Sequence, residues 1–181
     1  GHIFSIFNHI KNIYGIYKEK YEKVDFEINN KKVTVHTIPQ CNSKQLFDKE
    51  LKKLKNEKNS DFNIFIAHGS VTGMQEFTMN EFNELIIPAR ILSRDFDYIG
   101  LGHFHRHSKL SENAFYSGSI ERLTFAEAEE KKGFLKLNLT KKGLSHEFIE
   151  IETRPMIDSK PIRCSELKID KIMKKIKKEI K

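Results

Sequence analysis

The chain has 181 residues, 38% hydrophobic and 31% charged, which is the composition of one ordinary globular domain with a core of its own. Its net charge of +7 suits a polyanionic partner such as nucleic acid, because lysines that neutralise phosphates release counterions. Seven lysines lie within the last fourteen residues, however, and a general richness in lysine raises the charge without any binding site. Charge therefore favours a nucleic-acid partner only weakly.

The sequence has no sign of membrane insertion or of a disulfide framework. No apolar run approaches the roughly 18 residues of a spanning helix, and the first residues lack a basic region followed by a cleavage site. We therefore expect a cytoplasmic protein with no membrane partner. Cys41 and Cys164 form no CxxC pair, so we interpret both as reduced packing residues.

The first part of the chain predicts a helix followed by a β-hairpin. Apolar residues recur at helical spacing over residues 3–10. Two alternating segments, 24–28 and 33–38, then flank Asn29 and Asn30, whose side chains tolerate left-handed turn geometry.

A second helix follows the hairpin. Asn42 or Ser43 can cap a helix that extends to about Asn56. Its apolar positions, with Phe47 and Leu51 among them, face inward, and its lysines face outward.

The middle and the end of the chain predict a strand-rich α/β domain. Short apolar segments at 62–67 and 96–101 end abruptly in glycine and histidine, as buried strands do when they deliver side chains to a loop. Further strand-like segments lie between residues 114 and 151. Proline breaks the last of them at Arg154-Pro155, which predicts a boundary between a domain over residues 1–153 and a segment over 154–181 that ends in a lysine-rich helix.

Three histidines at the ends of the two apolar strands are the candidate metal ligands. Neutral imidazole binds zinc, manganese and iron well. Residues two apart on a strand face the same way, so His103 and His105 can approach one metal or two adjacent metals. His68 alone carries less weight, because a single histidine after a strand is more often packed or solvated.

The remaining histidines are not interpreted as ligands. His107 follows Arg106 in a predicted loop, and we expect it to be solvent-exposed. The other four are interpreted as surface or packing residues: His2, His9, His36 and His146.

Residues 98–105, YIGLGHFH, resemble the closing metal-ligand motif of SbcD-type DNA repair exonucleases, members of the calcineurin-like metallophosphoesterase superfamily. Residues 66–69, IAHG, are similar to the preceding histidine motif. Residues 116–125 and 130–134 resemble the YxGSxxRxxFxE…EKG segment peculiar to these nucleases. The resemblance implies the second half of an α/β/β/α sandwich, followed by the truncated start of a capping domain.

The same resemblance implies a site and partners. His68, His103 and His105 would be ligands of two divalent metal ions in the complete enzyme, by resemblance manganese, with iron and zinc left open. The substrate would be DNA, the partner an SbcC-type ATPase, and the complete protein a possible homodimer. Ser119 and Arg122 would contact the DNA backbone. The alternative for that segment is a tight turn with Arg122 in a structural ion pair.

The sequence departs from the family at its N-terminal motifs. DxH, GD and GNH supply the bridging aspartate, an asparagine ligand and the catalytic histidine, and none of the three occurs here. The catalytic residues are therefore unknown, and we expect the chain alone to be inactive and to hold one metal weakly or none. Glu121 and Glu127 lie in a charged segment where glutamates are usually solvated, so we do not expect them to replace the missing ligands.

The predicted function is part of a metal-dependent DNA exonuclease and endonuclease that hydrolyses phosphodiester bonds. Two alternatives stay open. One is a phosphodiesterase acting on small phosphoesters, which the nuclease-like segment disfavours. The other is a non-catalytic DNA- or protein-binding module that keeps the fold without the chemistry.

Overall fold

A six-stranded, mostly parallel sheet organises the chain. The computed structural model describes residues 3–72, 85–93, 95–159, 161–165 and 167–179. In chain order the strands are β1 (Glu22–Ile28), β2 (Lys31–Ile38), β3 (Phe62–His68), β4 (Ser70–Val71), β5 (Ile86–Ile87), β6 (Tyr98–Gly102), β7 (Ser108–Lys109), β8 (Ala114–Tyr116), β9 (Gly133–Thr140) and β10 (Gly143–Glu150). The α-helices are α1 (Lys44–Leu51) and α2 (Ile169–Glu179), and short 3-10 helices span Ile3–His9, Ala89–Ile91 and Phe125–Glu127. The predicted α/β class is confirmed.

The order of strands in the large sheet is β1-β2-β3-β6-β8-β7. The four inner strands run parallel to one another, and β1 and β7 are antiparallel edges. Two smaller pairs, β4 with β5 and β9 with β10, complete the described strands. Because the inner strands are parallel, their carboxyl ends lie at one edge of the sheet, where loops of α/β proteins commonly build their sites.

The predicted hairpin and its turn at Asn29-Asn30 are confirmed. β1 and β2 pair from Glu22 opposite Thr37 to Ile28 opposite Lys31. The two residues between them, Asn29 and Asn30, have φ values of 51° and 57°. Both central residues of a type I′ turn need positive φ, and asparagine tolerates it better than most residues.

Both predicted helices of the N-terminal part differ from expectation. Ser43 caps α1 as predicted, its Oγ accepting a hydrogen bond from the Leu46 amide at 3.2 Å, but the helix ends at Leu51 rather than near Asn56. The opening helix is a 3-10 helix. Two of its predicted apolar positions are exposed, Ile6 by 60% and Ile10, just beyond the end of the 3-10 helix, by 48%.

The core lies on one face of the large sheet. Phe65 and Ala67 of β3 point into it and join one apolar cluster with Phe47 and Leu51 of α1. On the opposite face Ile66 is 45% exposed. An apolar groove of about 620 Å³ runs along that face and is lined by residues that include Tyr14, Ile16, Val24, Phe26, Val35, Ile66 and His68.

The β9–β10 hairpin covers part of that same face near β8. Phe148 of β10 stacks on His107, with ring centroids 4.5 Å apart. The ring centroids of His146 in β10 and Phe115 in β8 are 4.6 Å apart. His107 also places Nδ1 3.0 Å from the Tyr116 carbonyl oxygen. The expectation that His107 is solvent-exposed was therefore wrong, because aromatic packing across two sheets half-buries its ring.

His36 is a packing residue, as predicted. It is buried, with Nδ1 2.7 Å from the Tyr21 hydroxyl and Nε2 2.9 Å from Asn63 Oδ1. Both ring nitrogens are thus engaged in structural hydrogen bonds.

The C-terminal segment leaves the sheet after β10. Residues 151–159 and 161–165 have no helix or strand, and Ile169 and Met173 of α2 are 77% and 46% exposed. The boundary near Arg154 stays a prediction. Within the described ranges, no helix combines the length and the apolar character that crossing a membrane requires.

Asp61 ties the start of β3 to both hairpins. Its amide donates to the Lys32 carbonyl oxygen at 2.8 Å, and its Oδ2 accepts from the Lys32 amide at 3.0 Å. Its Oδ1 lies 2.9 Å from Nζ of Lys141, in the turn between β9 and β10. The Lys141 and Lys32 hydrogen bonds lower the pKa of Asp61 from 3.8 to about 2.

Asp61→Asn should reduce the stability of the fold and flatten its acid dependence. A carboxyl whose pKa is lower in the folded state stabilises that state above the unfolded pKa of about 3.9, and the effect disappears as pH falls through about 2. The free energy of unfolding, measured with urea at several pH values between those two, should therefore change less steeply with pH for the variant. Asp158→Asn, at an exposed position of the C-terminal segment, is the control. Equal slopes for the Asp61 variant and the parent would contradict the role of this contact.

Candidate metal centre

Two of the three candidate ligands meet where β3 and β6 end. His68, the last residue of β3, pairs with Gly102, the last residue of β6. Just beyond, the Gly69 amide donates to the Gly102 carbonyl oxygen at 3.2 Å. His103 follows Gly102, and its ring lies edge-on to that of His68, with centroids 5.3 Å apart.

Gly102 makes room for this pair of rings. A Cβ atom at position 102 would lie 3.1 Å from Nδ1 of His68. That distance is tighter than an ordinary contact, so a larger residue would displace the His68 ring. Glycine at position 102 is thus explained by the close approach of the His68 ring from the neighbouring strand.

His103 has a strained backbone. Its φ is 119°, a region that residues with a side chain rarely adopt. Such outliers cost of order 1–3 kcal/mol and concentrate at functional sites, where surrounding structure enforces them. The contacts around this residue include Phe104, whose ring lies edge-on to both His103 (4.8 Å) and Tyr116 (4.9 Å).

Tyr116 connects the end of β8 to the loop that follows His68. The tyrosine is fully buried, and its hydroxyl donates to the Gly69 carbonyl oxygen at 2.8 Å. The hydroxyl oxygen of Tyr116 in turn accepts from the Val71 amide at 3.0 Å. The segment after β3 is therefore anchored to a third strand, and Phe104, which follows β6, packs against the same tyrosine.

The His68 ring is kept neutral by its surroundings. Burial lowers the pKa of His68 below 6.5, and the neighbouring His103 and His105 lower it further. All three imidazoles thus share one electrostatic neighbourhood. A neutral ring is the form that binds a metal ion, so the environment favours the ligand state near pH 7.

His105 contacts the carboxylate of Glu127, which was expected to be solvated. Its Nδ1 lies 3.0 Å from Oε1 of Glu127. Glu127 is only 6% exposed, so the expectation that it is solvated was wrong. Glu121, the other glutamate considered, lies next to Arg154, with Oε2 3.7 Å from its Nε.

Glu127 is buried because a buried lysine neutralises it. Nζ of Lys132, a residue 1% exposed, donates to Oε2 of Glu127 at 2.6 Å. Burial on its own raises the pKa of Glu127, but hydrogen bonds from Lys132 and His105, together with smaller ones, outweigh it and bring the pKa to about 2. The carboxylate is therefore charged at neutral pH. Sequence reasoning missed both residues, since each looks like an ordinary surface charge.

The guanidinium group of Arg122 donates hydrogen bonds to oxygen atoms of the protein itself. Its Nε donates to the Glu127 carbonyl oxygen at 3.2 Å and its NH2 group to that of Glu130 at 2.9 Å. Its NH1 group donates to Thr153 Oγ1 and to the Arg154 carbonyl oxygen, at 2.6 and 3.1 Å. Four of the five guanidinium N–H donors are engaged in this way.

Ser119 is also turned toward the protein. Its amide donates to the His105 carbonyl oxygen at 2.9 Å, and its hydroxyl donates to the carbonyl oxygens of Glu121 (2.7 Å) and His105 (3.3 Å). The predicted contacts of Ser119 and Arg122 with DNA stay predictions. What the geometry adds is that both residues brace the segment around His105.

His68 and His103 would supply only part of a ligand set for a metal ion. His68 and His103 offer adjacent imidazoles, the donors that borderline divalent metals prefer. Within the described ranges, no group of three or more His, Cys, Asp or Glu side chains is arranged to hold a metal ion. A shared carboxylate, which a two-metal site requires to compensate its charge, would have to come from elsewhere.

No known protein-family model matches this sequence. The resemblance to SbcD-type nucleases therefore rests on the order and spacing of the three motifs.

Proposed function

We propose that this chain is the histidine-bearing C-terminal half of the nuclease domain of an SbcD-type DNA exonuclease and endonuclease. In this proposal the large sheet and the β9–β10 hairpin belong to the second half of an α/β/β/α metallophosphoesterase sandwich, and residues 154–181 begin a capping domain. The single observation that carries the proposal is the contact between His68 and His103 at the ends of two adjacent parallel strands.

The chemistry of the proposal follows from the imidazoles. Bound divalent metals would supply a nucleophilic water near neutral pH and stabilise the leaving oxygen of a phosphodiester. His68, His103 and His105 would hold them, with manganese as the expected ion. Three neutral rings do not compensate the charge of two dications, so a segment carrying carboxylates must complete the centre.

The partners belong to the proposal through the resemblance and, more weakly, through charge. DNA as the substrate is compatible with the net charge of +7. An SbcC-type ATPase, a homodimer of the complete protein and a cytoplasmic location follow from the same assignment and are proposed with it.

A non-catalytic DNA- or protein-binding module is the second candidate. It is favoured by one observation, namely that the described residues hold no ready-made group of metal-binding side chains. Such a module would bind its partner without metal and would be indifferent to the three histidines.

The chain alone should bind one divalent ion weakly through its imidazoles. His68→Ala and His103→Ala should each weaken Mn²⁺ or Zn²⁺ binding by more than about tenfold, because each removes a ligand nitrogen. Isothermal titration calorimetry measures the affinity. His9→Ala, at an exposed position on the opening 3-10 helix, is the matched control. Equal affinities for all three variants would exclude a site at the ends of β3 and β6.

Cleavage of DNA should depend on completing the centre. The chain alone should not cleave DNA with manganese, whereas joining it to an N-terminal half that carries DxH, GD and GNH should produce cleavage. In that complete protein His68→Ala, His103→Ala and His105→Ala should each abolish the activity, measured on labelled duplex DNA. Cleavage of small phosphodiesters alone would favour the phosphodiesterase alternative, and a complete protein inactive with every divalent metal would decide for the binding module.

Arg122→Ala should destabilise the fold by about 1–3 kcal/mol, because it removes four hydrogen bonds and leaves the partly buried Glu130 carbonyl oxygen without the donor from Arg122. Thermal unfolding measures this effect, and Arg106→Ala, at an exposed arginine, is the control. DNA binding over a range of salt concentrations tests the other role. A decrease of about 1 in the salt slope, with unchanged stability, would show that Arg122 contacts phosphate instead.

A further inference from the structure

A buried carboxylate sits against one nitrogen of a candidate ligand and leaves the other nitrogen available. We propose that Glu127 is a positioning residue that fixes the tautomer and orientation of the His105 ring, and that Lys132 holds Glu127 in place for this purpose. The consequence for metal binding rests on the function proposed above. The contact itself does not.

The tautomer follows from the chemistry of the pair. An ionised carboxylate only accepts hydrogen bonds, so the 3.0 Å contact between Nδ1 of His105 and Oε1 of Glu127 requires the proton to be on Nδ1. In the neutral ring the lone pair then lies on Nε2. Metal-binding histidines usually donate their other ring N–H to a carboxylate or carbonyl in this way, which orients the ring and raises its basicity.

The carboxylate is itself held from several sides. Oε1 of Glu127 also accepts from the Thr124 hydroxyl at 3.0 Å. Oε2 accepts from the Leu123 amide at 3.3 Å and from Nζ of Lys132 at 2.6 Å. With four donors converging on it, the carboxylate cannot rotate away from His105 without losing other hydrogen bonds.

The ammonium group of Lys132 contacts the main chain of His105 directly. It also contacts Glu127, whose other carboxylate oxygen bonds the His105 ring. Its three N–H donors are matched by Oε2 of Glu127, Oε2 of Glu130 at 2.8 Å and the His105 carbonyl oxygen at 3.1 Å. The Lys132 side chain is completely buried. A buried ammonium is tolerated only when paired and hydrogen-bonded, so this lysine has few alternative arrangements.

The ring contact has a role that the backbone contacts do not fill. The His105 carbonyl oxygen already accepts from Lys132 and from the Ser119 amide, which together fix the main chain at this residue. Among these contacts, only the one with Glu127 reaches the imidazole. Its specific effect is therefore to set the ring and not to hold the loop.

Two double variants isolate the acceptor. Both replace the buried ion pair by neutral residues of similar size, which preserves folding better than removing one partner. Glu127→Gln with Lys132→Met keeps an oxygen that can accept from Nδ1. Glu127→Leu with Lys132→Met removes it. Thermal unfolding of both proteins confirms that they are folded.

Long-range ¹H–¹⁵N NMR of the imidazoles, in the metal-free chain at about pH 8, above the ordinary histidine pKa of about 6.5, reads the tautomer directly. We expect the Nδ1–H form of His105 in the parent and in the glutamine variant, and a mixture of tautomers in the leucine variant. An Nε2–H form in the parent, or an unchanged Nδ1–H form in the leucine variant, would overturn the proposal.

A Mn²⁺ titration of the same proteins separates this inference from the proposed function. The leucine variant should bind about 10- to 100-fold more weakly than the glutamine variant. A tautomer change without metal binding to any protein would leave the positioning contact standing and remove the metal site. Metal binding with equal affinities in the two variants would remove the positioning role.

Discussion

The parallel pairing of β3 with β6 is the constraint on which the candidate site depends. It sets Ile64 opposite Tyr98 at one end and His68 opposite Gly102 at the other, so two segments that are distant in sequence end at the same height. A slip of one residue would move the His68 side chain to the other face of the sheet. The Gly69 to Gly102 hydrogen bond and the Tyr116 hydroxyl fasten the loops immediately beyond the strands.

The buried ion pair between Lys132 and Glu127 supports the His105 ring. Lys132 and Glu127 are each costly to bury alone, and each is stabilised there by the other. The side chain of Glu130 also accepts a hydrogen bond from Lys132, and the main-chain carbonyl oxygen of Glu130 accepts one from Arg122. These charged residues are thus linked to one another by hydrogen bonds on the side of His105. The other side of His68 borders the open apolar groove along β1 to β3.

Local patterns predicted the strands and the hairpin well, because alternation and the Asn29-Asn30 turn are properties of short segments. They also placed His68 and His103 correctly at strand ends. They failed for Glu127 and Lys132, whose burial depends on contacts that spacing does not reveal, and for His107, which aromatic rings from two sheets cover. The early end of α1 at Leu51 is a similar case, since Leu54 is buried without continuing the helix.

The backbone of His103 carries an implication for how this protein tolerates sequence change. Glycine at position 103 would relax the φ of 119°, so selection for thermal stability alone would favour losing the imidazole. A histidine at such a position is held against the conformational preference of the chain. Sequence libraries screened first for stability and then for activity would therefore diverge at this residue, which makes position 103 a sensitive reporter of whether the site is under functional selection.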